Sequence, residues 1–106
     1  MNKQEELKKL KGITNKIVKE YSPEKIILFG SWVWGKPTKN SDFDLLIVKR
    51  NKRNFLLEQQ KVRKIINGEI AADILIHTPK ELKTRLNLGD FFYEDIVKKG
   101  TPLYEK

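Results

Sequence analysis

Apolar residues recur at two different periods along this chain, and the switches between them mark its elements. From residue 3 to 21, Leu7, Leu10, Ile13, Ile17, Val18 and Tyr21 return every three or four positions among lysines and glutamates. That spacing predicts an amphipathic helix, ended by Ser22 and Pro23. Lys25 to Phe29 is a continuous apolar run, the pattern of a strand covered on both faces. Gly30 to Ser41 is dense in turn formers and reads as a loop. Asp42 to Val48 is a second strand, and side-chain alternation puts Asp42, Asp44, Leu46 and Val48 on one face and Phe43, Leu45 and Ile47 on the other. Asn54 to Asn67 predicts a helix through Phe55, Leu56, Leu57, Val62, Ile65 and Ile66, stopped by Gly68. Ile70 to Ile76 is a third strand, interrupted by Asp73.

Thr78-Pro79-Lys80-Glu81 has the form of a capping box with proline at the first helical position, opening a helix that Gly89 closes. Asp90 caps a last helix through Phe91, Phe92, Ile96 and Val97, stopped by Gly100. Thr101 to Tyr104 fits only an edge strand, because of Pro102. This order predicts an α/β or α+β protein, a small mixed sheet flanked by helices. With 106 residues, one domain over 1–106 is expected.

Composition narrows the chemistry. Twenty-two Lys and Arg against fourteen Asp and Glu give a net charge of +8. Such a charge favours polyanions such as nucleotides or RNA, although a lysine-rich solvated surface carries it equally well. The chain has no cysteine, which excludes disulfides, thiolate nucleophiles and zinc-thiolate centres. No apolar run approaches the ~18 residues of a membrane span, and a soluble cytoplasmic protein is expected.

Three acids then stand out. Asp42 and Asp44 lie ~6.6 Å apart along one strand face, near enough for their carboxylates to share a cation. At ~4 Å two carboxylates repel by ~4 kcal/mol at an effective dielectric of ~20, so gathering them makes sense with a cation present. Oxygen-only ligands favour magnesium, with manganese the alternative. The plainer alternative has Asp42 capping the loop, Asp44 exposed and Asp73 paired to a lysine. Asp73 inside an apolar run needs a reason, because burying an unpaired charge is costly. At the end of the first strand, Gly30 permits close backbone approach and Ser31 offers an amide and a hydroxyl to phosphate.

Gly30, Gly35 and Lys36 also fit most of a phosphate-loop pattern, but that pattern requires a hydroxyl residue and a helix directly after the lysine, where this chain has Pro37. Lys36 and Lys39 are candidate phosphate contacts. Trp32 and Trp34 could stack on a base, or anchor the loop on the core, the reading preferred here. His77, the one histidine, has no second His or Cys beside it and reads as structural.

With these residues in view, the chain resembles the polymerase-beta-like nucleotidyltransferase superfamily. Its minimal form, the MNT domain proteins that act as antitoxins to HEPN toxins, matches nearly throughout. The resemblance rests on Leu28-Phe29-Gly30-Ser31, on Ser41-Asp42-Phe43-Asp44-Leu45-Leu46-Ile47-Val48, on Asp73 shortly before Thr78-Pro79, and on Phe92-Tyr93-Glu94-Asp95-Ile96 through Gly100 to Tyr104. It implies that Gly30 and Ser31 hold the triphosphate of ATP and that Asp42 and Asp44 bind magnesium. Asp73 would be the third carboxylate. It further implies transfer of AMP to a tyrosine of a cognate HEPN RNase toxin, which is thereby neutralised. Family loops often carry arginine where this chain has Trp32, Val33 and Trp34, and Lys36 is the candidate replacement. Two rivals remain: an inhibitor that covers its partner without chemistry, and an RNA-binding or RNA-modifying module. The second is less favoured, because no basic run interleaved with aromatics occurs outside this loop.

Overall fold

The computed structural model describes residues 3–38 and 40–106; Lys39, a candidate phosphate contact, lies outside them. Helix α1 (Lys3–Tyr21) buries Leu10, Ile13, Ile17 and Tyr21, while Leu7 stays exposed, so the buried stripe is narrower than the apolar spacing. Ser22 turns left-handed at φ 54° to end it. Then come β1 (Lys25–Phe29), a one-turn helix α2 (Ser31–Trp34), β2 (Phe43–Val48) and α3 (Phe55–Ile66). They are followed by β3 (Ala72–His77), α4 (Pro79–Asn87), α5 (Phe91–Lys99) and β4 (Thr101–Glu105). The α2 turn corrects the expectation of an unbroken loop from Gly30 to Ser41. Four residues between two glycines, three of them β-branched or aromatic, carry too little helix propensity to announce themselves.

The strands form one sheet in the order β3-β2-β1-β4. β1 runs antiparallel to β2 and to β4, whereas β2 and β3 are parallel, joined by the crossover through α3. Both faces are covered. Ile26, Leu28, Leu45, Ile47, Ile74 and Ile76 meet Leu10, Ile13, Ile17, Val62 and Ile66 of α1 and α3. Ile27, Phe29, Leu46 and Val48 meet Tyr93 and Ile96 of α5 and Leu82 and Leu86 of α4. Two helical layers explain why β1 and β2 lack polar alternation.

The predicted caps form. Thr78 accepts from the Glu81 amide at 3.0 Å and Glu81 accepts from the Thr78 amide at 2.8 Å. Asp90 accepts from the Phe92 amide at 3.1 Å. Asn67, left-handed at φ 49°, ends α3 one residue before the expected Gly68. In α5 the buried positions are Tyr93 and Ile96, three apart; Phe91, Phe92 and Val97, assigned to the apolar face by composition, remain exposed. Phe55, Leu56 and Leu57 at the start of α3 are exposed as well.

One polar group is buried beside α1. Glu58 of α3 is 1% exposed and accepts from the Tyr21 hydroxyl, with Lys61 at 3.5 Å. Burial drives its carboxyl upward, but the Tyr21 hydroxyl, the Arg53 backbone and Lys61 outweigh that and lower it. At the free edge of β3, the carbonyls not used by β2 are met from α3: Gln59 donates to Ile74, and Arg63 Nη1 donates to Ala72 at 2.9 Å. Side chains thereby blunt an edge that would otherwise invite another strand. No helix among the described residues is long and apolar enough to cross a membrane.

Candidate active site

The end of β1 and the starts of β2 and β3 meet at one end of the sheet, because β1 is antiparallel to β2 and β3 is parallel to it. In the register, Phe29 stands opposite Asp44 and Asp44 opposite Asp73. Directly paired residues share a sheet face, so these three form a row on the side covered by α4 and α5. Asp42 precedes β2 by one residue and has the same parity as Asp44. The structure thus brings together the three acids singled out from the sequence.

Gly30 links β1 to α2 with φ 77° and ψ −152°, a region that side-chain-bearing residues hardly enter. A Cβ placed there would overlap Asp44 Oδ2 and lie 2.9 Å from Asp44 Cγ. Glycine is therefore required twice, for its backbone angles and for the space that Asp44 occupies. Ser31 follows as the first residue of α2, half-buried, and its carbonyl accepts from the Gly35 amide at 3.1 Å. Gly35 closes this turn so tightly that a Cβ would come within 2.9 Å of Ser31 Cα.

Trp32 fixes the loop as expected. Its ring stacks on Phe43 at 4.6 Å and its indole donates to the Ser41 carbonyl at 3.1 Å. Trp34 does not share that role: it packs at the opposite sheet face against Phe29 and remains 47% exposed. Lys36 stands exposed beyond Gly35, with no hydrogen bond or ion pair to the acids among the described residues. Because α2 precedes this lysine and Pro37 and Thr38 follow it as loop, the phosphate-loop pattern is not met.

Asp42 and Asp73 are exposed and Asp44 is partly buried. The buried-charge argument raised for Asp73 therefore does not apply, since it is the second residue of β3 and exposed at the rim of the sheet. Burial, then Asp73, then Asp42, raise the Asp44 carboxyl above its ordinary range. That mutual repulsion is not relieved from within: among the described residues none of the three acids has a basic ion-pair partner, although the chain holds twenty-two Lys and Arg. The lysine pairing considered for Asp73 is thus not found.

An oxygen-only set of uncompensated carboxylates suits a hard divalent cation in its donor chemistry. Among the described residues no three acidic, His or Cys side chains form a group that could hold a metal ion, so the donor chemistry suits a cation but no three-carboxylate metal site is preformed. His77 lies at the far end of β3, where Nε2 is 2.7 Å from the Tyr93 hydroxyl and Nδ1 is 3.6 Å from Glu81, in keeping with a structural part.

Sequence reasoning missed Phe29 and Phe92 as neighbours of the site. Phe92 meets Phe29 edge-on at 5.7 Å and is 50% exposed. The available signal was the position of Phe29 beside Gly30; nothing in the sequence joins it to Phe92.

Comparison with known proteins follows this geometry. Residues 11–106 match the family model described as polymerase beta, nucleotidyltransferase. A crystal structure assigned as a nucleotidyltransferase from Sulfolobus solfataricus superposes with a TM-score of 0.68 at 22% identity, over 96% of this chain and 82% of that one. At that identity the likeness concerns the fold. No curated protein matches the chain.

Proposed function

The chain belongs to the polymerase beta nucleotidyltransferase family, and on that premise we propose that it is a magnesium-dependent protein adenylyltransferase. It takes AMP from ATP and attaches it to a tyrosine of a cognate HEPN RNase toxin, which it neutralises as an antitoxin. The observation carrying this reading is the set of three carboxylates that, among the described residues, have no basic ion-pair partner in a strongly basic chain. A structural acid in such a chain would readily find a lysine; here burial, Asp73 and Asp42 instead raise the proton affinity of Asp44, a strain that a cation would relieve.

Asp42 and Asp44 would hold the metal, with Asp73 at its side, and manganese would serve in place of magnesium. When bound, the metal supplies the positive charge that phosphoryl transfer to an acceptor requires. Gly30 and Ser31 present backbone amide and hydroxyl to the triphosphate, next to Asp44. Asp73, the most open of the row's paired acids, takes the proton of the attacking tyrosine hydroxyl. The tyrosine oxygen bonds to the α-phosphorus, the bond from that phosphorus to the bridging oxygen breaks, and pyrophosphate leaves.

The uncharged Trp32-Val33-Trp34 turn, offering no cation to the triphosphate, favours a second reading in which the chain silences its partner by binding alone. Intact mass of the partner after incubation with this chain, magnesium and ATP separates the two, beside an Asp44→Ala control. A gain of one or more AMP units, absent in the control, is expected. An unmodified partner that is nonetheless silenced by both proteins would refute transfer.

A further inference from the structure

Resting on the reading that nucleotide phosphates meet the three acids, the geometry points to Trp34 and Phe92 as a platform on which the nucleobase of that nucleotide stacks. The two come from separate segments, α2 and α5, and converge on one ring. Phe29 is buried, with Trp34 at 6.3 Å and 34° and Phe92 at 5.7 Å and 86°. Both outer residues stay about half exposed, 47% for Trp34 and 50% for Phe92.

Trp32 is the internal contrast. It lies flat on Phe43 and its indole nitrogen donates to Ser41, so its polar and apolar needs are both met within the fold. Trp34 has a ring neighbour on one side only, and no acceptor meets its indole nitrogen among the described residues. Phe29 is the cross-strand partner of Asp44, and such partners stand about 4.5–5.5 Å apart at Cα. Through the Phe29 ring, Trp34 and Phe92 are therefore tied to the strand position directly opposite Asp44.

What the turn offers a ligand is π surface rather than charge. A bare polyphosphate gains nothing from Trp34, whereas a base gains stacking that is typically worth about tenfold or more in affinity. Because every base has a π face, such a platform holds purines and pyrimidines with little discrimination. The chain thus substitutes an aromatic grip on the base for a cationic grip on the phosphates.

The test is calorimetric titration of the full chain, with magnesium or manganese, by ATP, CTP and inorganic tripolyphosphate. Parent chain, Trp34→Leu, Trp34→Phe and Phe92→Leu are compared, each verified as folded by thermal denaturation. ATP and CTP are expected to bind the parent about tenfold or more tightly than tripolyphosphate. Trp34→Leu and Phe92→Leu should erase most of that advantage without changing tripolyphosphate affinity, and Trp34→Phe should retain most of it. An advantage that survives both leucine variants overturns the platform, as does a parent that binds tripolyphosphate as tightly as ATP; either result leaves the phosphate site standing. A parent that binds none of the three with either metal overturns the nucleotide reading and the platform together.

Discussion

Replacing Gly30 by alanine tests the closest packing at the site. Two costs arise. The backbone at φ 77° and ψ −152° lies where any residue with a Cβ is strained by roughly 1–3 kcal/mol. The new methyl also overlaps Asp44 Oδ2 and lies 2.9 Å from Cγ and 3.2 Å from Cβ, so the carboxyl must rotate away at a cost of about 0.5–1.5 kcal/mol. Together these predict a loss of roughly 2–4 kcal/mol, which in a domain of this size lowers Tm by about 10–20 °C. The two parts separate in a double-mutant cycle followed by circular dichroism. In an Asp44→Ala background the Oδ2 and Cγ contacts no longer exist, so Gly30→Ala should cost about 1 kcal/mol less there than in the parent. An equal cost in both backgrounds would refute the steric argument, and a cost below about 0.5 kcal/mol in the parent would refute the backbone argument as well.

Three further outcomes follow. In metal-free buffer at neutral pH, Asp44→Asn should raise Tm by a few degrees, because it removes the central charge of the row, and magnesium should narrow the gap; a lower Tm would show that the acids are stabilised within the chain. Glu58→Ala leaves the Tyr21 hydroxyl buried without its acceptor and opens a void, for a loss of about 2–4 kcal/mol in urea unfolding. A loss under about 1 kcal/mol would contradict that pairing. At His77, burial pushes the imidazole down, Glu81 pulls it partly back and Lys52 adds to the lowering. The unfolded chain therefore takes up the proton first, and stability should fall as pH drops through the ordinary histidine range near 6.5. Urea midpoints between about pH 7.5 and 5.5 should show that fall in the parent and a flatter profile in His77→Gln; a parent profile that rises on acidification would exclude this assignment.

Much of the architecture was legible because burial on two faces leaves a plain record: unbroken apolar runs for β1 and β2, helical spacing for α1, and the Thr78 and Asp90 caps. The sequence also marked Gly30, Ser31, Asp42, Asp44 and Asp73, whose residue types contrast with the apolar strands around them. What it concealed depends on partners distant in the chain. Asp73 looked like a buried charge because its neighbours are apolar, yet it stands exposed near the start of its strand, at the rim. Phe91 and Phe92 looked like core because they are aromatic, yet the three-residue spacing of Tyr93 and Ile96 turns them outward. Trp32 and Trp34 are indistinguishable in composition; only the turn of α2 sends one to each face of the sheet.

The parallel register that sets Asp73 beside Asp44 also acts as a proofreader of the fold. Gly30 directly follows β1 and Asp44 lies on its antiparallel neighbour β2, reached through α2 and the loop after it, whereas Asp73 joins them only after the crossover through α3 has closed. Slippage of β3 by one residue would swing Asp73 to the face where Ile74 and Ile76 now meet α1 and α3, placing a carboxylate in apolar surroundings. Misalignment would thus be penalised by the same side chain that completes the acidic row. Any substitution of Asp73 by an apolar residue would remove this contribution to the register along with the carboxylate, leaving the apolar pattern of β3 to hold the pairing in step.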